Sequence, residues 1–298
     1  MDGPDAQLPE DVHQLLLAAF GEDVGSSNLN TQGHLVESRK GEQHSEDGKA
    51  DFNLLYGELL PESVSKALIR LRAVGDGNIL ELGMGTGKVA FQAFLQSTRA
   101  RQVIGVEISP ARYDVACTAA AQLAKAFPEK FTSWDASESE LASLLQRSEA
   151  EKAEYSAVRG HVLQEVTSGR SLWLLEGDLA MVDSANGPAA NAQAVFLQLR
   201  LPPPARLRAY KVLQRVPDGC RLFSLENLTW EWMLPEPSVL HAVDHQNTVL
   251  GDTELFATSW CPEGYPFYLF HADRSLSPTI TAEYAISYVQ DLYAQSYF

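Results

Sequence analysis

The 298-residue chain predicts an α/β fold built on a mostly parallel sheet of seven strands, closed by a C-terminal antiparallel hairpin. Three observations predict it. Short apolar runs alternate with segments of helical periodicity, the pattern of repeated strand–helix units. The first run ends in a turn of alternating glycines and the second ends in an acid. Proline and glycine punctuate the junctions between them.

Residues 9–20 carry Val12, Leu15, Leu16, Ala19 and Phe20 on one stripe behind Glu10 and Asp11, whose charges suit a helix N-terminus. Residues 21–51 are rich in Gly, Ser, Asn and Gln, too polar to order themselves, and read as a flexible linker. Residues 1–50 thus form an acidic, largely flexible segment with one short helix. A helix over 61–74 opens with Pro61 and turns Val64, Ala67, Leu68 and Leu71 to one face. Strand 79–82 leads through the glycine turn into a helix from Lys88 to about residue 97. Strand 103–106 precedes Pro110, which opens a helix over 111–127.

Residues 137–164 are charged and rich in Ala, Leu and Glu, and predict a solvated helical insertion near 132–170 of a domain spanning 51–275. The strand pattern resumes at 171–175 and again at 194–199. A helix over 205–214 and the turn Pro217-Asp218-Gly219 deliver a strand over 221–225. Residues 253–260 and 267–271, joined across CPEGYP, predict the hairpin. In the tail 276–298, Tyr284, Tyr288, Tyr293 and Tyr297 fall near helical spacing, which predicts a packed helical stripe.

The net charge of -16 disfavours a surface that grips nucleic acid and favours a basic partner. Residues 1–50 hold ten acidic and three basic residues, so much of the acidity belongs to that segment. Cys117, Cys220 and Cys261 are widely spaced with no CxxC, as expected of reduced thiols. No run of apolar residues is long enough to span a membrane, and the first residues are acidic where a secretory signal is basic. The expectation is an intracellular protein, cytoplasmic or nuclear, without a membrane partner. His241 and His245 are four residues apart but lack a third ligand, so no metal site is expected.

The sequence NILELGMGTGK, residues 78–88, reads as a nucleotide-type cofactor site. Glycines allow a sharp turn and close backbone approach, and the acid ending the next strand, Glu107, can accept both hydroxyls of a ribose. A dinucleotide fingerprint requires a third glycine where Lys88 stands, which weighs against a nicotinamide-binding oxidoreductase. The pattern Glu81-x-Gly83-x-Gly85-x-Gly87 instead resembles that of class I methyltransferases, a Rossmann-like fold. That resemblance implies S-adenosylmethionine as cofactor, with Gly83, Gly85, Gly87 and Lys88 lining it. Glu81 is then either a carboxylate near the methionine amino group or a brace for the turn.

Residues 56–116 resemble one family more closely, the non-SET histone lysine methyltransferases of the disruptor-of-telomeric-silencing type. The likeness runs through Tyr56-Gly57-Glu58, Gln92, the triplet Gly105 to Glu107, and Pro110, Ala111, Arg112 and Tyr113. It resumes at Gly177-Asp178. It implies that residues 54–60, with Tyr56 and Glu58, close over the cofactor as a lid, and that Asp178 faces the adenine amine. The family's paired asparagines near the acceptor are replaced by Gln198, Leu199 and Arg200, and its glutamine after the third glycine is Lys88. Gln198 and Arg200 occupy the place of acceptor-orienting residues. Trp230, Trp232 and Trp260 are candidates for an aromatic acceptor channel, and no lysine-rich tail is present to hold nucleic acid. The implied activity is methyl transfer to a protein lysine. The alternatives are a small-molecule acceptor and a catalytically silent binding protein of the same fold.

Overall fold

A computed structural model describes residues 7–21, 57–73, 77–146, 158–228, 240–242 and 255–276. The linker, Tyr56, Trp230, Trp232, His245 and the tail tyrosines lie outside the described residues. A nine-stranded sheet forms the centre of the fold. Its strands β1 (Asn78–Leu82), β2 (Gln102–Glu107), β5 (Ser171–Glu176), β6 (Ala192–Leu197) and β7 (Arg221–Ser224) run parallel, in the spatial order β5-β2-β1-β6-β7. Beyond β7 lies the reversed strand β11 (Tyr268–Ala272), and beyond that β8 (Leu240–Ala242), antiparallel to β11. Together these seven reproduce the sheet expected of the class I methyltransferase fold.

The parallel strands are near-continuous apolar runs because both faces of the sheet are covered. On one face pack α1 (Glu10–Phe20), α2 (Pro61–Leu71), α3 (Lys88–Gln96) and α4 (Pro110–Ala126), meeting Ile79, Val103, Leu172, Leu174 and Phe196. Against the other lie α5 (Glu138–Leu145) and α6 (Pro203–Arg215), meeting Leu80, Ile104, Val106 and Val195. Pro61 fits the first turn of α2, where its missing N–H is no loss. Ser109 caps α4, its hydroxyl accepting the Arg112 N–H. Helix α1 is docked by the stripe read from its sequence, with Phe20 edge-on to Phe91, ring centroids 5.0 Å apart.

Two expectations are corrected. Among the described residues of 137–164, only α5 is helical. The strands β3 (Phe131–Asp135) and β4 (Arg159–Glu165) flank it and extend the sheet antiparallel beyond β5. Their outer position mixes polar and apolar residues, which weakens the alternation that marks a strand. Among the described residues, 267–271 do not pair with 255–260. Most of them form β11 inside the main sheet, and only Leu255–Phe256 (β9) and Tyr265–Pro266 (β10) form a small hairpin. His241 lies in β8 and not on a helix.

Candidate functional site

The chain leaves β1 for β2 on one side and later returns to lay β6 on the other. This makes the β1/β6 boundary the topological switch point, where ligands of open α/β sheets bind beyond the strands' carboxyl ends. A cleft open to solvent lies at this place. Its lining includes Gly57, Glu58, Glu81, Gly83, Gly85, Lys88, Glu107, Arg112, Gln198 and Leu199.

The turn after β1 has Gly83, Gly85 and Gly87 at φ of 79°, 58° and 88°, in the left-handed region that favours glycine. Gly83 and Met84 both donate their N–H to the Val106 carbonyl, at 2.8 and 2.9 Å, which ties the turn to β2. A Cβ on Gly83 would come within 2.5 Å of the Leu199 methyls, so Leu199 closes this position to a side chain.

Glu107 accepts the N–H of Gly85 through one carboxylate oxygen and that of Ser109 through the other, each at 2.8 Å. It braces the glycine turn against the start of α4, a role the sequence suggested for Glu81. The Ile108 N–H also acts on this carboxylate, whose total acceptor capacity exceeds these bonds. Burial pushes its pKa up, opposed by the Ser109 N–H and the nearby Arg112 guanidinium.

Glu81 is 2 % exposed. Its Oε1 accepts Gln198 Nε2 at 3.1 Å, a bond that joins the end of β1 to the residue after β6. Its Oε2 is buried with no hydrogen-bond partner. Burial raises its pKa well above the usual carboxylate range. The Ala90 N–H in the first turn of α3 opposes that rise, and Glu107 and Glu58 add to it.

Glu58, in the expected lid, enters the cleft from the other side. It accepts Lys88 Nζ at 2.8 Å and Thr86 Oγ1 at 2.8 Å, with both charged residues buried. Its backbone is stitched to a segment two hundred residues later. The Glu58 N–H donates to Ser259 Oγ at 3.1 Å, the Ser259 N–H to Glu58 O at 2.8 Å, and the Leu60 N–H to Ala257 O at 3.0 Å. Trp260 lies against Gly57, its ring occupying the space of a Cβ there, and remains 44 % exposed. Gln92 bridges Pro61 O, Ser65 and Gln96, fixing α2 on α3 and not touching the cleft.

Two expected residues are not brought to the cleft. Asp178 caps a 3-10 turn by accepting the Ala180 N–H at 2.9 Å and pairs with Arg208 on α6 at 3.2 Å. Arg200 is exposed and is not among the lining residues. Leu199 and Arg112, which the sequence reading did not assign to the site, line it. Both were visible only as parts of motifs, and the place of Leu199 in the cleft follows from its packing on Gly83. No cluster of metal-ligating residues occurs among the described residues, and none of their helices is long and apolar enough to cross a membrane.

No protein-family model matches the chain, and no curated protein matches it. Among solved structures, Trm1 from Pyrococcus horikoshii in complex with S-adenosyl-L-methionine is similar at 11% identity and TM-score 0.32, over 55% of this chain and 36% of that one. The putative RNA methyltransferase PH1948 from the same organism is similar at 12% identity and TM-score 0.33, over 72% and 83%. A putative protein-L-isoaspartate O-methyltransferase from Plasmodium falciparum in complex with S-adenosyl-L-homocysteine is similar at 11% identity and TM-score 0.31, over 75% and 84%. At these scores the assignment of fold rests on the strand order itself.

Proposed function

We propose that the chain is an S-adenosylmethionine-dependent methyltransferase whose acceptor is an amine, foremost a protein lysine. The observation that supports this reading most is Glu81 Oε2, a fully buried acceptor without a partner in a glycine-walled cleft at the sheet's switch point. Such an orphan costs about 1–3 kcal/mol, which a positively charged donor would offset. S-adenosylmethionine fits this donor set, since it carries an ammonium, a carboxylate, a ribose and a cationic sulfur. When bound, it supplies a methyl group on a sulfur already primed to leave.

The chain's own residues then bind, orient and exclude water. Glu81 receives an ammonium, and Lys88 and Arg112 suit a carboxylate on the same ligand. Glu107 keeps the glycine turn in place and offers its remaining lone pairs to ribose hydroxyls. Proximity and exclusion of water supply the acceleration, and no general base is required if the amine arrives neutral. The exposed ring of Trp260 beside Gly57 offers an approaching lysine a cation–π contact. A net charge of -16 suits a basic partner better than a nucleic acid.

A second reading, binding without transfer, is favoured by Leu199. It stands where an acceptor-orienting polar group is expected and packs over Gly83. Thermal shift with S-adenosylmethionine and its demethylated product, followed by tritium transfer to fractionated lysate, separates the two. Stabilisation plus labelled protein is expected, and Gly85→Arg should lose both. No shift with either ligand overturns the cofactor assignment. Binding without any transfer supports the second reading, and label confined to small molecules removes the protein acceptor.

A further inference from the structure

At the outer edge of the sheet, on the face turned toward α4, three side chains outside the cleft are linked in a row. Ser133 Oγ lies 2.6 Å from His161 Nε2, and His161 Nδ1 lies 2.7 Å from Asp135 Oδ1. The strand period explains the row. Ser133 and Asp135 are two apart on β3 and share a face, and His161 on β4 is the direct partner of Asp135. An ionised carboxylate can only accept, so Nδ1 carries a proton; in the neutral imidazole Nε2 then holds the lone pair and the Ser133 hydroxyl donates to it.

The ladder parity adds a fourth group. The Ala136 N–H donates to Gly160 O and the Val166 N–H to Lys130 O, which puts the even-numbered residues of β3 in the hydrogen-bonded pairs. Ser133 is therefore in a non-hydrogen-bonded pair, with its N–H and C=O pointing away from β4. β3 is the last strand among the described residues, and none of these adds a further strand to it. A nucleophile, an imidazole base, a carboxylate that orients it and an amide N–H beside the nucleophile are the parts of an acyl-transfer site.

We propose that Ser133, His161 and Asp135 form a second, hydrolytic site that takes the acyl group of small esters with weakly basic leaving groups. Ser133 Oγ attacks the carbonyl carbon while its proton passes to His161 Nε2. The new oxyanion faces the Ser133 N–H. Collapse breaks the bond to the leaving oxygen, which takes the proton from Nε2, and the acyl group remains on Ser133. Water then gives a proton to Nε2 and its oxygen to the acyl carbon. The carboxylic acid departs, and the proton returns to Ser133. The substrate class follows from the edge position. Asp135 is 91 % exposed and its hold on the imidazole is screened by water, so amides and alkyl esters lie beyond the site's reach. Cys117 on α4 is the nearby competing nucleophile, but burial pushes its thiol up to about 11 and keeps it protonated.

The test uses the full chain with p-nitrophenyl acetate, read by stopped-flow release of nitrophenolate and by peptide mapping of the trapped acetyl group. A burst and an acetyl group on Ser133 are expected. Ser133→Ala should abolish the burst, and His161→Gln should slow acylation about 100-fold. Asp135→Asn should slow it less than His161→Gln. An acetyl group found on Cys117 or a lysine, no adduct at all, or an unchanged burst in Ser133→Ala overturns the proposal. The mapping is done on the unsubstituted chain, so a variant that misfolds does not blur the result.

Discussion

Replacing Glu81 by Gln should stabilise the ligand-free protein while weakening its response to cofactor. Burial raises the Glu81 pKa, so the folded state holds its proton over a pH range in which the unfolded state has lost it. Stability contributed by this group is therefore greatest at acid pH and falls as pH rises from the usual carboxylate range toward the folded pKa. At neutral pH the wild type bears a buried acceptor with no partner. An amide keeps an oxygen for Gln198 Nε2 and puts a neutral donor where the orphan oxygen stood, within the field of the Glu107 and Glu58 carboxylates. Removing the orphan is worth about 1–3 kcal/mol. At about 2–4 °C per kcal/mol for a chain of this size, the apo melting temperature should rise by about 2–12 °C at neutral pH. The gain should shrink as pH falls through the raised folded pKa and level off in the usual carboxylate range, where the wild-type carboxyl is neutral in both states. Differential scanning fluorimetry across pH, with and without S-adenosylmethionine, measures both effects. A lower melting temperature with an undiminished ligand shift would refute the reasoning.

Three further outcomes are expected. Lys88→Met should destabilise by about 3–5 kcal/mol by leaving Glu58 buried without its cation, and adding Glu58→Gln should recover most of the loss in chemical denaturation. Gly83→Ala must adopt a left-handed backbone and displace Leu199, so calorimetric titration should show no cofactor binding. Leu16→Ala should cost about 2–5 kcal/mol, visible as a lower urea midpoint, because α1 is seated in the same core as α3 and α4.

The central strands were legible because two-sided burial leaves little room for polar residues, and 78–88 with 102–107 announced the glycine turn and its acid without help from the rest. The edge was not legible. RGHVLQE in β4 mixes charge with apolar residues much as a solvated helix does, and although β5 pairs with it across a short turn, its other partner β3 stands on the far side of α5, beyond any local pattern. Within the cleft, residue types were readable but hydrogen-bond partners were not. Glu107 and Glu81 exchange the bracing role because Gly85 and Ser109 present their N–H groups to the former, while the latter faces Gln198 across the switch point. Asp178 sits where the motif comparison put it in sequence, yet Arg208 on α6 engages its carboxylate.

The stitching of Glu58 to Ala257 and Ser259 has a consequence for synthesis. On a ribosome the strands β1 and β2 and the glycine turn emerge early and can begin to pack, but the wall carrying Glu58 has its backbone partners in the chain's last fifth. The cleft therefore matures last. A nascent or truncated chain ending before residue 255 would present the glycine turn and Glu107 with one side missing, so cofactor retention reports that the segment carrying Ala257 and Ser259 has arrived.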